Sequence, residues 1–142
     1  MAKVYDPTDC KISFIGFPLN AGIADGTFLK VTRTSPSASV KSSADGVPVF
    51  NRMHDKTGKA ELTVQRASAV NAYLSAQAIA WESKTGGTGA FFVKDLAGNS
   101  LCVAADAVLE KPADFERAKE HGDVTWTFLL GAVEIVEAGI EG

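Results

Sequence analysis

The fold of this chain is decided by the stretch KAELTVQ, residues 59–65. Its apolar residues Ala60, Leu62 and Val64 alternate with polar ones. Successive side chains of a β-strand point to opposite faces of the sheet, so this alternation indicates a strand with one buried and one exposed face. The stretch therefore predicts a sheet that covers a core on one side only.

Segments on either side of this strand show the same period of two, which favours a mostly-β chain. Reversals are predicted at Asp25-Gly26 and Asp45-Gly46, and hairpin turns at 55–58 and 97–99. The turn at 55–58 would join residues 59–65 to the strand before them. The Ser-rich stretch 34–46 is expected to be largely an extended loop. The other candidate strands are residues 12–14, 28–34, 39–42, 47–53, 91–94 and 100–105.

The last predicted strand changes phase near its end. Its buried face uses the even positions from Val124 to Leu130, but beyond Gly131 the apolar residues Val133 and Ile135 occupy odd positions. A bulge or bend at Gly131 explains the slip, because one extra residue turns every later side chain to the opposite face. The alternative is that the strand ends at Leu130. The sequence leaves both interpretations open.

Residues 68–83 have helical periodicity instead. Ser68 is placed to cap the first turn, since a serine hydroxyl accepts a hydrogen bond from an unpaired amide there. The glycines at 86, 87 and 89 follow the helix rather than precede it, so they indicate a linker and not a phosphate-binding loop. A weaker helical pattern covers residues 114–120. The apolar stripe of the main helix comprises Val70, Tyr73, Leu74, Ala78 and Trp81.

These elements predict a single domain, residues 1–142, built as a mostly-β sandwich or open barrel with one packed helix. The net charge of -3 gives no reason to expect tight phosphate binding. No apolar run reaches the roughly 20 residues that a membrane helix needs, and no secretion signal is expected. Cys10 and Cys102 form no disulfide framework, which favours synthesis in a reducing cytoplasm.

The sequence offers little material for catalysis, and no catalytic, metal-binding or cofactor-binding residue is predicted. Metal and acid–base sites draw on clustered His, Cys, Asp and Glu side chains. Only two histidines, His54 and His121, are present, and no Gly-x-Ser-x-Gly motif appears. Both histidines are expected at the surface. The chain is therefore predicted not to be an enzyme.

One strand suggests a contact with another protein. Residues 47–53 mix apolar side chains, a proline and an arginine on both faces, whereas a free-standing domain normally exposes one polar face to water. Phe, Met and Arg are enriched in the cores of protein interfaces. The alternative is a strand buried inside the monomer. The predicted subunit-interface residues are Val47, Val49, Phe50, Arg52 and Met53.

The order of these elements resembles the tail tube proteins of contractile-tailed, myovirus-type bacteriophages. In that family, a strand like residues 58–65 leads into the helix through a Gln-x-x-Ser-x-x-Asn-x-x-Leu pattern, matched here by Gln65, Ser68, Asn71 and Leu74. The resemblance covers about residues 12–128. Later elements match in order: Val93 with Asp95, Gly98, Ala107-Val108, Pro112, Phe115 and Trp126.

The resemblance implies a structural subunit of the virion tail with no cofactor. Such subunits form hexameric rings that stack on copies of themselves, with a continuous inner β-barrel through which DNA passes. The tail sheath protein, the baseplate and the tape measure protein are the implied partners. A lumen that passes DNA should not attract phosphate. Glu61, Thr63 and Gln65, or the acidic segment 107–142, are candidates to face it.

Two alternatives remain at this point. The first is an inner-tube subunit of a bacterial secretion or contractile injection system, which shares the architecture. The second is a small β-sandwich binding module for sugars or proteins, which would predict a stable monomer with an exposed aromatic patch. The aromatic residues of this chain are expected mostly at core-facing positions, which disfavours the binding module.

Overall fold

The computed structural model describes residues 10–19, 28–95, 100–120 and 122–138. The described elements are β1 (Cys10–Phe14), β2 (Phe17–Pro18), β3 (Leu29–Arg33), β4 (Ala38–Ser42), β5 (Pro48–Arg52), β6 (Gly58–Gln65), α1 (Val70–Glu82), β7 (Gly89–Asp95), β8 (Leu101–Leu109), β9 (Asp123–Leu130) and β10 (Val133–Val136).

Eight of these strands form one antiparallel sheet in the order β2-β1-β7-β8-β9-β6-β3, with β10 also paired to β8. The two halves of the sheet face each other across the core. Phe14 of β1 and Phe91 of β7 each lie 5.0 Å, between ring centroids, from Phe128 of β9. The sheet stays open at β2 and β3, so it is not a closed barrel. The prediction of a mostly-β chain with one packed helix is confirmed.

Residues 59–65, the alternating stretch, lie in strand β6 as predicted. Ala60, Leu62 and Val64 of β6 are completely buried. They pair with alternate residues of β9, whose Trp126 and Phe128 are also buried. Complete burial of a large apolar side chain stabilises a fold by about 1.5–3 kcal/mol. The packing of β6 on β9 is therefore a principal source of stability.

The sheet folds over where β8 meets the junction of β9 and β10. On β8, Ala104 and Ala107 are buried while the two residues between them are exposed. On the partner side, Leu130 at the end of β9 pairs with Ala107, and Val133 at the start of β10 pairs with Ala104. The chain therefore bends at Gly131 and continues along β8. Relative to β7, β8 contains a bulge at this point. Both interpretations hold in part: β9 ends at Leu130, and after a bend at Gly131 the chain resumes as β10 along the same partner strand.

Helix α1 begins at Val70 and ends at Glu82, slightly inside the predicted bounds. Ser68 is not its N-cap. That position is Ala69, while the Ser68 hydroxyl accepts a hydrogen bond from the Val70 amide. Trp81 was expected on the buried stripe but is 46% exposed, because the helix covers the core only with its first turns and Ala78.

Asn71 joins the start of the helix to the sheet. Its amide nitrogen donates to the backbone oxygens of Gln65 and Arg66, both at 3.0 Å. Its carbonyl oxygen accepts the indole N–H of Trp126 at 2.9 Å. Leu74 is completely buried one turn later. The spacing of Gln65, Ser68, Asn71 and Leu74 thus has a physical cause: it fixes the turn by which the strand becomes the helix.

Replacing Asn71 with alanine is expected to lower the free energy of unfolding by about 2 kcal/mol, because the buried indole N–H loses its acceptor. Urea unfolding of the variant measures this change. Ser75→Ala, at an exposed position one turn later on the same helix, is the matched control, with an expected change below about 0.5 kcal/mol. Equal stabilities of the two variants would contradict the proposed role of Asn71.

Several local predictions need correction. Residues 55–58 do not close a hairpin, because β5 pairs with β4 while β6 pairs with β3 and β9. The stretch 34–46 is not largely a loop, because the candidate strand 39–42 is present as β4 and the predicted reversal at Asp45-Gly46 closes its hairpin with β5. Residues 114–120 are not helical. The predicted turns at Asp25-Gly26 and 97–99 lie outside the described residues, although β7 and β8 pair on either side of the latter.

Candidate assembly surfaces

The most exposed element is the hairpin of β4, β5 and their connecting turn, residues 38–52, here called the arm. Among the described strands, β4 and β5 pair only with each other, and every residue of both is exposed. An isolated two-stranded hairpin is marginally stable in water. The arm therefore differs from the rest of the molecule in having no core of its own to pack against.

The arm carries four of the five predicted interface residues, and the fifth, Met53, follows it directly. Val47, Val49, Phe50, Arg52 and Met53 are all exposed, and Phe50 is 76% exposed. This exposure excludes the alternative of a strand buried within the monomer. It does not by itself test the contact with another subunit, which stays a prediction.

Both faces of the arm expose apolar side chains, with Phe50 on one face and Val49 on the other. Phe50 lies directly opposite Val40, which is 61% exposed. At the tip, the Ser43 hydroxyl donates a hydrogen bond to the Asp45 carboxylate, and this bond lowers the pKa of Asp45 below its usual value. The tip is therefore ordered by its own polar groups, while the apolar pair remains uncovered.

A second exposed surface is the outer face of β3, β6 and β9. Glu61 lies beside Lys30 on one side and Thr127 on the other. The hydroxyl oxygens of Thr63 and Thr125 are 3.1 Å apart. Gln65 pairs with Asp123 at the end of the same strands. The predicted lumen residues Glu61, Thr63 and Gln65 thus share one polar face that displays hydroxyls and charges of both signs.

The described residues contain no group of three or more His, Cys, Asp or Glu side chains that could hold a metal ion. His54 is exposed, and His121 lies outside the described residues. Burial raises the pKa of both cysteine thiols, Cys10 and Cys102, which keeps them protonated and poorly nucleophilic at neutral pH. In the part of the chain that is described, no helix has the length and apolar character needed to cross a membrane.

The described surface also has clefts, one of them of about 450 Å³. It lies where β3 approaches β8 and β10, and its lining combines aliphatic side chains, such as Leu29 and Val31, with the polar side chains of Asp95, Ser100 and Glu137. The arm and the polar face of the sheet are exposed surfaces rather than concave sites, and surfaces of this kind suit contacts with other proteins.

The sequence model of the bacteriophage PhiTE tail tube protein family matches residues 13–138. The chain belongs to this family. The match runs from β1 beyond β10, so it includes both the arm and the bend at Gly131. As a tail tube protein, the chain has a structural role in the phage tail and is a component of the virion. No curated protein matches it significantly.

The aromatic residues of this tail tube protein are less buried than predicted. Among the described residues, five aromatic side chains are exposed rather than core-facing. They lie on different elements and not on one strand face, whereas a carbohydrate- or peptide-binding module needs a shared aromatic surface. The exposed aromatics are Phe17, Phe50, Trp81, Phe92 and Phe115.

Sequence reasoning missed two features of this surface. The first is that β4 and β5 pair only with each other among the described strands, although the reversal predicted at Asp45-Gly46 between two candidate strands indicated a hairpin. The second is the way Arg33 contacts Val133, 100 residues later in the chain. No local pattern could have shown this second contact.

Proposed function

We propose that the chain forms hexameric rings that stack into the tube of a contractile phage tail and conduct DNA. The single observation that carries the self-assembly is the arm, whose two strands lie outside the core with both faces exposed. Exposed apolar patches on a monomer mark interaction surfaces. A second copy that covers Phe50 and Val40 would bury the apolar pair.

The open sheet supports ring formation. Among the described strands, β3 and β2 each have one unpaired edge, and unpaired edges are templates for strand addition from another chain. A contact between different edges of successive copies is heterologous, and a heterologous contact closes into a ring when the rotation between copies allows. We propose that such pairing joins the sheets of six subunits into a continuous inner barrel.

The face of β3, β6 and β9 that points away from the subunit core is proposed to line the lumen of the tube. Its charged residues include two lysines and two acids, with Lys30 directly beside Glu61. Threonine hydroxyls occupy much of the remaining surface. DNA binds proteins mainly through cations that contact its phosphates, so a face of balanced charge gives DNA no strong site at which to stop. The four charged residues are Lys30, Lys59, Glu61 and Asp123.

The proposed partners follow from this placement. Copies of the same chain occupy the arm and the sheet edges, and the tail sheath protein contacts the outside of the tube. The baseplate and the tape measure protein would meet the first ring and the lumen. Synthesis in the cytoplasm of the host bacterium precedes assembly in this proposal.

Electron microscopy of the purified protein at increasing concentration tests the proposal. Six-membered rings or hollow tubes are the expected result, with size-exclusion chromatography reporting the loss of monomer. A chain that remains monomeric at every concentration, also when preformed tail baseplates are added to start growth, would contradict it.

A further inference from the structure

The arm leaves the sheet through two short connections that we call the base of the arm, residues 34–37 and 53–57. Because β4 and β5 pair only with each other among the described strands, the direction of the arm depends on these connections. A flexible base would let the arm point in many directions, and binding would then have to order it. The hydrogen bonds within the base are therefore informative.

The two connections bind each other. The Thr34 amide donates to the Thr57 carbonyl oxygen at 3.0 Å, and the two threonine hydroxyl oxygens are 2.9 Å apart. The Ser35 hydroxyl donates to the Asp55 carboxylate at 3.0 Å. Asp55 also accepts the Thr57 hydroxyl at 2.7 Å, which lowers the pKa of Asp55 below its usual value. The base is thus a bonded pair of segments and not two independent loops.

Arg33 fastens this pair to the sheet. Its Nε and Nη2 donate to the backbone oxygen of Val133 at 3.1 and 2.7 Å, while Nη1 donates to the Ser37 hydroxyl at 3.1 Å. One guanidinium group therefore contacts both the start of β10 and the last residue of the base before the arm. Its side chain is 24% exposed, so most of it is shielded from water.

The other segment of the base, residues 53–57, is also bonded to β10. The Val133 amide donates to the Lys56 carbonyl oxygen at 2.9 Å. Glu134 lies 3.2 Å from the Lys56 ammonium and 3.7 Å from the Arg33 guanidinium. Exposed ion pairs of this kind contribute little, so the bonds to Val133 are the stronger part.

We propose that Arg33 is a positioning residue for assembly, which holds the arm in the direction that docks on a second copy. This proposal rests on the proposed self-assembly. The planar guanidinium forms two bonds to one carbonyl group and a third to Ser37, a geometry that the single ammonium of lysine cannot reproduce. With the arm already fixed, less conformational freedom is lost when a neighbouring copy binds it.

Arg33→Lys tests the proposal because it keeps the positive charge but removes the planar guanidinium group that donates two hydrogen bonds to Val133. Hydrogen exchange should show the amides that hold the base, those of Thr34 and Val133, exchanging about tenfold faster, while those of β6 and β9 keep their protection. The concentration at which rings or tubes first form should rise about tenfold. Glu134→Gln, which leaves the bonds to Val133 in place, should change both quantities much less.

Arg66→Lys is the matched control, since Arg66 lies beyond the opposite end of β6. Unchanged exchange at Thr34 and Val133 in Arg33→Lys would overturn the proposal, as would a loosened base with an unchanged threshold for assembly. A natural chain that never assembles would refute the proposed function separately. In that case, the exchange comparison would still decide whether Arg33 fixes the arm.

Discussion

Phe50→Asp protein should remain a folded monomer at concentrations more than 100-fold above those at which the natural chain assembles. The Phe50 ring is exposed in the monomer, so the substitution removes no core contact. In the proposed interface it would replace a buried apolar ring with a carboxylate, which costs about 3 kcal/mol or more. Sedimentation velocity, together with electron microscopy, measures the change.

Phe115→Asp is the control for this experiment. Phe115 is 83% exposed on the connection between β8 and β9, away from the arm strands, and receives the same change of charge. It should assemble like the natural chain. Normal tube formation by Phe50→Asp would show that the arm is not the contact between copies.

Gly58→Ala should lower the free energy of unfolding by about 3 kcal/mol, the largest effect on stability expected here. Gly58 begins β6 and is buried between Arg33 and Leu130 of the neighbouring strands. An added Cβ would collide with the backbone oxygen of Thr32 and lie 2.8 Å from Val133 Cγ1. A backbone oxygen in a sheet cannot move aside without breaking the pairing of β3 with β6.

Gly87→Ala provides the comparison, because nothing lies within 4 Å of the Cβ it would add. Its unfolding free energy should differ from that of the natural chain by less than about 0.5 kcal/mol. If the slope of the unfolding free energy against urea concentration is unchanged, the stability lost in Gly58→Ala is assigned to the folded state. A Gly58→Ala protein as stable as Gly87→Ala would refute the close approach.

The parts of the fold that the sequence predicts well are those decided by neighbours along the chain. The alternation at Ala60, Leu62 and Val64 is a local pattern, and all three are buried as expected. The change of phase at Gly131 is also local. The Gln-x-x-Ser-x-x-Asn-x-x-Leu spacing succeeds for the same reason, since Asn71 bonds to backbone groups five and six residues earlier.

The predictions that fail concern residues whose contacts lie far away along the chain. Residues 55–58 have the composition of a hairpin turn, yet β6 finds its partners in β3 and β9 and leaves β5 to β4. Trp81 has helical spacing with Leu74, but the length of helix that meets the sheet is a tertiary property. For the candidate surfaces, the mixed composition of residues 47–53 indicated an unusual strand, whereas the fastening of its base by Arg33 depends on a strand 100 residues away.

The pairing of the arm has a consequence for the order in which a new chain folds. Its strands are joined by a short turn, and a hairpin of this kind forms in about 1–10 μs. β6 and β8 must instead wait for β9 and β10 to leave the ribosome, which adds residues at about 5–20 per second. For several seconds, an unfinished subunit therefore exposes a folded arm before the sheet that supports the arm is complete. Chaperone capture or slow encounter between nascent chains is what would keep such intermediates from associating before they can build a tube.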